Sequence, residues 1–311
     1  MDFSPLGDSP DYCRRCFPIG FQKLIVRPLQ PSDVGEEQPF TLSAVDGEGV
    51  SGLTKPTISV ICAVYNRERV LADALDSIFQ QSYPAIQAIV IDGLSSDRTP
   101  VVVDRYRDRI GVAVREKDEG IYDALNKGIR HASGEVIGFL HADDMLADAE
   151  VLADVGRIFE NPEVDAVYGE LLYVAEDDQD RIVRYWQESP YRVERFRRGW
   201  MPPHPTVYLR RKVYEQFGDF RTDLGTAADY ELMVRLMVKH QIRVKFLPRV
   251  MVKMRVGGKS NASLANRRKA NLADANAWRV NDLTPPPLLR LSKPLRKLPQ
   301  YWRRPRPTSP T

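Results

Sequence analysis

From residue 57 to residue 140 the chain alternates short apolar runs with stretches of helical spacing. Thr57-Ile58-Ser59-Val60-Ile61-Cys62-Ala63-Val64 is nearly unbroken, the pattern of a strand buried on both faces. Val70, Leu71, Ala74, Leu75, Ile78 and Phe79 then recur three and four apart, which predicts a helix with one apolar face. Ala88-Ile89-Val90-Ile91 reads as a second buried strand ending at Asp92-Gly93. Thr99 before Pro100 predicts an N-cap with proline in the first helical position, opening a helix over Val101 to Arg107. A short strand near Gly111 to Val114, a helix over Tyr122 to Ala132 and a strand over Val136 to Leu140 follow.

The second half is less regular. Val164 to Tyr168 and Leu171 to Val174 read as strands, and Arg181 to Trp186 is placed to pair back across the polar turn Glu176 to Asp180. Arg210 to Phe217 and Asp229 to His240 read as helices, the latter with Leu232, Met233, Leu236 and Met237 facing inward. Val244 to Leu247 and Val250 to Met254 are late strands, and there is no internal repeat.

Alternating strands and helices predict right-handed crossovers and a mainly parallel sheet, hence an α/β fold with helices on both faces. Ligands in such sheets bind beyond the carboxyl ends of the strands. Polar residues sit there: Tyr65-Asn66 after the first strand, Asp92-Gly93 after the second, and His141 to Asp144 after the Val136 strand. Adjacent carboxylates at Asp143 and Asp144 repel unless a cation lies between them. A divalent metal with a diphosphate meets that need. The alternative is a helix cap before Ala147 to Phe159, although Asp148 suits that purpose better.

Composition adds limits. With 311 residues, 43% hydrophobic and 28% charged, the chain can bury a sizeable core as one large domain or two small ones. Residues 1 to 54 lack sustained periodicity and read as an extension or linker. Cys13 and Cys16 form a C-x-x-C without a second ligand pair, so a turn is favoured over a zinc site. No apolar run approaches the roughly 18 to 20 residues that span a bilayer. No secretory signal is visible, so the protein is expected in the cytoplasm. From Pro285 onward seven Lys and Arg residues (Arg290, Lys293, Arg296, Lys297, Arg303, Arg304 and Arg306) interleave with Leu, Tyr and Trp and no acid. That stretch suits either an anionic membrane surface or a solvated, proline-broken tail. Without a recognition helix it does not suit nucleic acid.

The segments ISVICAVYNRERVLADALDSIFQQSYPAIQAIVIDGLSSDRT, EKDEGIYDALNKGIRHASGEVIGFLHADDM and MPPHPTVY with AADYELMVR together resemble inverting glycosyltransferases of family 2. Within it they are most similar to the bacterial exopolysaccharide and lipopolysaccharide transferases of the colanic-acid type. The resemblance implies a GT-A fold over 55–262, with a nucleotide half at 55–145 and an acceptor half at 146–262. Residues 263–311 would add a C-terminal helix and the basic tail. It further implies a nucleotide-diphospho-sugar donor, a UDP-sugar first among them, and Mn²⁺ or Mg²⁺. By motif match Asp144 should touch the metal, with Asp143 beside it or at the ribose. Asp92 should meet the nucleobase edge, with Ala63 and Tyr65 lining the base. Gly93 stands where relatives often carry a second acid, which leaves the base open. Asp118 and Asp123 would flank the donor, Asp123 being the favoured contact, with Asn126 capping locally. His204 matches a position bordering the diphosphate. Asp229, at a helix start, matches the general base, because inversion needs one carboxylate to deprotonate the acceptor hydroxyl. Gly257 to Asn261 resembles a loop that closes over the donor. His141 departs from the Asp or Asn of many relatives, and its role stays open.

The acceptor half lacks Gln-x-x-Arg-Trp, which favours single-sugar addition over processive polymerisation. The acceptor is expected to be a lipid-linked or oligosaccharide molecule, met at the cytoplasmic face of the inner membrane through the basic tail. A nucleotidyltransferase would need a glycine-rich loop after the first strand, where Tyr65 to Arg69 stands instead. A non-catalytic sugar-nucleotide-binding partner in a polysaccharide assembly complex is the alternative.

Overall fold

A computed structural model describes residues 55–256, 274–287 and 298–303. The 1–54 extension with its C-x-x-C, the Gly257 to Asn261 loop and Arg290 to Lys297 lie outside the described residues. The first half follows the apolar pattern. Strands β1 (Ile58–Val64), β2 (Ile86–Asp92), β3 (Val112–Arg115) and β4 (Val136–Phe139) alternate with helices α1 (Leu71–Phe79), α2 (Thr99–Arg105) and α3 (Ile121–His131). β1 pairs in parallel with both β2 and β4, and β2 pairs in parallel with β3. Alternate side chains of β1 divide between the two faces, as a pleated strand requires. Ile61 and Ala63 join the cluster that holds Ala124 and Leu125 of α3. Val60 joins Ala74 and Ile78 of α1 on the other side.

Beyond β4 the sheet becomes mixed. It continues through β8 (Tyr208–Arg210), β6 (Ala166–Val174), β9 (Val244–Arg255) and β5 (Asp144–Leu146), in the order β3-β2-β1-β4-β8-β6-β9-β5, with β7 (Ile182–Trp186) on β6. β8 is antiparallel to both β4 and β6, and so joins the parallel half to the rest. Helices α4 (Val151–Phe159), α5 (Val193–Arg197), α6 (Arg211–Phe217) and α7 (Ala228–Met233) follow, α7 runs on into a π-helical stretch, Val234–Lys239, and residues 274–279 are helical with Trp278 buried in the core. Arg210 is buried and caps the end of α4, its guanidinium donating to the carbonyls of Phe159, Asn161 and Val164 at 2.8, 2.8 and 2.6 Å.

Several local expectations change. The two strand pairs predicted over 164–174 and 244–254 are single long strands, β6 and β9, which pair in parallel with register shifts around Glu170. Helix α2 starts at Thr99, and the Asp97 carboxylate, in place of Thr99, accepts an end N–H there at 2.9 Å. The Thr99 hydroxyl is drawn away to accept the Arg67 N–H at 2.8 Å. The helix expected from Ala147 begins only at Val151, because Asp144 to Leu146 pairs with β9 as a strand. Asp143 therefore caps no helix. No helix among the described residues is long and apolar enough to cross a membrane.

Candidate active site

The carboxyl ends of β1, β2 and β4 open side by side, and the loops that leave them are tied together. Asn66, in a left-handed conformation (φ 52°), donates its N–H to the Ser95 hydroxyl at 2.9 Å and accepts the Ser96 N–H at 2.8 Å. Tyr65 stands half exposed at this mouth, whereas Ala63 is buried in the sheet. Asp92 is buried at 3% exposure, with one oxygen accepting the Ser95 N–H at 2.8 Å and the other Arg115 Nε at 3.1 Å. Both partners hold the carboxylate at the strand end. Asp118 reaches the same place: a side-chain carbon on Gly93 would come 2.0 Å from Asp118 Oδ2, so the Asp118 carboxyl fills the space that a second acid would take.

Asp144 is the first residue of β5 and is 1% exposed. Its Oδ2 is buried without a hydrogen-bond partner. Burial, with the neighbouring Asp143 charge, pushes its carboxyl well above the usual carboxylate range, while the Arg255 backbone and guanidinium pull the other way. An orphaned buried polar atom costs about 1–3 kcal/mol, and more when charged. Asp143 is less buried, with Oδ2 3.7 Å from Arg67 Nε. Among the described residues no group of three or more His, Cys, Asp or Glu side chains is arranged to hold a metal ion. Two carboxylates with one unsatisfied oxygen still fit an oxygen-seeking cation that takes its other ligands from a diphosphate and water.

Arg67 and Arg255 were not singled out from the sequence. Arg255, at the end of β9, reaches the Asp143 carbonyl at 3.4 Å and pairs with Asp73. Arg67 had a legible signal, a cation directly after a strand's carboxyl end. Arg255 had none, since its place depends on the pairing of β9 with β5.

Asp229 opens α7, and its Oδ1 accepts the N–H of the next residue, Tyr230, at 2.7 Å. Its Oδ2 lies 3.3 Å from His204 Nδ1, and the half-buried Tyr122 of α3 brings its hydroxyl to the same side chain. His204 Nε2 in turn lies 3.4 Å from Nε2 of His141, just past β4. Burial and the neighbouring His204 lower the His141 pKa from 6.5 to about 4, and burial lowers that of His204. Both rings are thus neutral near pH 7. Asp229, His204 and His141 form one chain of contacts from helix α7 to the loop that follows β4 and carries the acidic pair.

Asp123 is occupied locally. It accepts the Glu119 N–H at 3.1 Å and faces Lys127 Nζ at 3.3 Å, the contacts of an acid in the first turn of a helix. Asn126 was expected to cap locally and does not. Its side chain exchanges two hydrogen bonds with the Phe220 backbone, at 2.8 and 3.0 Å, and so joins α3 to the segment after α6 across 94 positions. The segment between β7 and β8 is braced by Glu188, buried against the indole N–H groups of Trp186 and Trp200 at 2.7 and 2.6 Å and Arg195 at 3.1 Å.

The chain is similar to known glycosyltransferases. It is 27% identical over 216 residues to a PGL/p-HBAD biosynthesis glycosyltransferase of Mycobacterium bovis, covering 67% of this chain and 81% of that one. It is 31% identical over 186 residues to an uncharacterized glycosyltransferase of Mycobacterium tuberculosis, covering 58% and 68%. Among solved structures, S. aureus TarS in complex with UDP-GlcNAc superposes with a TM-score of 0.55 at 19% identity, covering 79% of this chain and 78% of that one. The mannosyltransferase PcManGT from Pyrobaculum calidifontis, in complex with GDP-Man and Mn²⁺, gives 0.55 at 22% identity, covering 77% and 69%. These neighbours share the GT-A fold. The model for Glycosyl transferase family 2 matches residues 59–218, just over half of the chain, so this glycosyltransferase belongs to family 2.

Proposed function

We propose that the chain transfers a single sugar, with inversion, from a nucleotide-diphospho-sugar to a lipid-linked or oligosaccharide acceptor. The observation that carries this reading is Asp144, a buried carboxylate with an unsatisfied oxygen where β5 begins beside the open strand ends. Asp144, with Asp143, would hold Mn²⁺ or Mg²⁺. Such an ion neutralises the charge that grows on a departing nucleoside diphosphate. Asp92, with Tyr65 and Ala63 on the neighbouring strand end, would bind the nucleoside. Arg67, close to Asp143, supplies positive charge beside the phosphates. Asp229 would act as general base and take the acceptor hydroxyl's proton as that oxygen attacks the anomeric carbon. Only one such carboxylate is needed, because inversion passes through no covalent sugar–enzyme intermediate.

Relatives support the reading in kind. TarS is described with UDP-GlcNAc and PcManGT with GDP-Man and Mn²⁺. A polysaccharide role gains support from the 34% identity over 93 residues to the putative teichuronic acid biosynthesis glycosyltransferase TuaG of Bacillus subtilis, although this covers 29% of this chain and 37% of that one. The domain division is 55–262 for the catalytic unit, with 1–54 and 263–311 as flanking segments. The basic stretch after Pro285 would hold the enzyme peripherally at the cytoplasmic face of a membrane, where lipid-linked acceptors reside.

Calorimetric titration with UDP, GDP, ADP and CDP, each with and without Mn²⁺, tests the donor site in wild type and Asp144→Ala. The expected result is metal-dependent binding of one nucleotide that is lost in the variant. Equal binding by both proteins would sink the metal role of Asp144.

A further inference from the structure

Asp229 is met by three polar groups from three separate parts of the chain. The Tyr230 N–H belongs to its own helix, the Tyr122 hydroxyl to α3, and His204 Nδ1 to the short helical turn His204–Thr206 before β8. A carboxylate offers about four acceptor directions, so three donors fix its orientation and leave one for a substrate hydroxyl.

The His204 contact also sets a tautomer. A lone pair on Nδ1 would face the Asp229 oxygens 3.3 Å away and be repelled, so Nδ1 carries the hydrogen. In a neutral ring Nε2 is then an acceptor. Nε2 of His141, 3.4 Å away, must donate to it. The donor groups therefore face one way, from His141 through His204 to Asp229. They link the strand end beside the acidic pair to the acceptor-side helix.

We propose that His204 is a positioning residue, whose Nδ1–H orients the Asp229 carboxylate for the acceptor hydroxyl and whose Nε2 anchors that carboxylate to His141. The proposal rests on reading Asp229 as the general base. It assigns His204 a role distinct from direct contact with the donor diphosphate. Misplacing a reacting group by about an ångström can cost on the order of 100-fold in rate, which is the effect expected when the His204 side chain is removed.

Two experiments on the full chain test it. The first is ¹⁵N NMR of histidine-labelled protein at pH 7.5, where four histidines give an assignable set. His204 should show Nδ1–H and His141 Nε2–H, with the His204 signals moving in Asp229→Ala. Nε2–H at His204 would overturn the proposal without any turnover assay. The second uses release of UDP from UDP-glucose, UDP-galactose and UDP-N-acetylglucosamine, and of GDP from GDP-mannose, with water as acceptor. His204→Ala should lower kcat about 100-fold with the donor KM within about twofold. Asn places an amide N–H where Nδ1 stands and should restore most of kcat. Gln places one where Nε2 stands and should not. Rescue by Gln alone, or a raised donor KM at unchanged kcat, would give His204 to the donor and overturn the positioning role. Full turnover in Asp229→Ala would instead remove the base assignment, whatever the histidine tautomers are.

Discussion

At the scale of single residues, the acidic pair sets stability against use. Asp144 is buried with an unsatisfied oxygen and its carboxyl is pushed upward, so the folded protein carries the cost of that group. Asp144→Asn keeps the shape and removes the charge. It should raise the melting temperature in EDTA by about 2–4 °C, which corresponds to roughly 1 kcal/mol for a domain of this size, and should abolish the metal-dependent nucleotide binding proposed above. A melting temperature that falls instead would show that the carboxylate is satisfied within the protein. His141 gives a pH prediction. Its folded pKa, lowered to about 4 chiefly by burial, lies below the 6.5 of an ordinary histidine. His204, Asp143 and Asp229 are the titratable groups acting on it. Between those values the unfolded chain binds a proton that the folded one refuses, so stability is full above pH 6.5 and falls as pH drops. Wild type should lose up to about 1.4 kcal/mol per pH unit more than His141→Gln between pH 6.5 and 5, as read by denaturant titration. Parallel curves would mean that His141 is protonated in the folded state.

At the scale of elements, the join between the parallel half of the sheet and its mixed remainder is a close packing of β4 on β8. A carbon added to Gly138 would meet Tyr208 Cε1 at 2.2 Å, and Tyr208 is fully buried. Gly138→Ala should therefore destabilise by about 1–3 kcal/mol through overpacking, measured by thermal or urea unfolding. The Tyr208 hydroxyl is buried with no partner. Tyr208→Phe should accordingly be neutral or stabilising by about 1 kcal/mol. This element carries the strand end from which His141 emerges, so a loosened β4 should lower nucleotide affinity as well as stability.

At the scale of the whole molecule, the basic tail is not uniform. Gln300 accepts Arg184 Nε at 2.6 Å, and the Tyr301 ring lies 5.6 Å from the Arg184 guanidinium, so 298–303 meets β7. Trp302 beside it is 75% exposed. Deleting everything from Pro285 would remove this contact together with the charge. Replacing Arg290, Lys293, Arg296 and Lys297 by Gln isolates the charge. Each base near an anionic surface contributes about 1 kcal/mol, or about fivefold in affinity, so sedimentation with phosphatidylglycerol vesicles should fall steeply while the melting temperature holds. Unchanged sedimentation would remove the tail from membrane binding.

Much of this was legible locally. The strands β1, β2 and β4 and the helices between them follow from apolar runs and helical spacing, since burial on two faces or one stripe leaves its period in the sequence. Asp92, Asp143 and Asp144 were legible as strand-end acids because an α/β sheet places its ligand sites there. Other features had no local trace. Asp144 is buried because β5 pairs with β9 more than a hundred positions away, which also displaced the expected helix start. Asp229 stood out alone in the sequence, whereas its partners Tyr122 and His204 lie 107 and 25 positions earlier. Sequence by itself determined the elements and the chemical types at their ends, because propensity and burial are properties of neighbours along the chain. The tertiary structure alone decided which of those groups meet, because hydrogen bonds and unsatisfied oxygens arise between residues that only folding brings together.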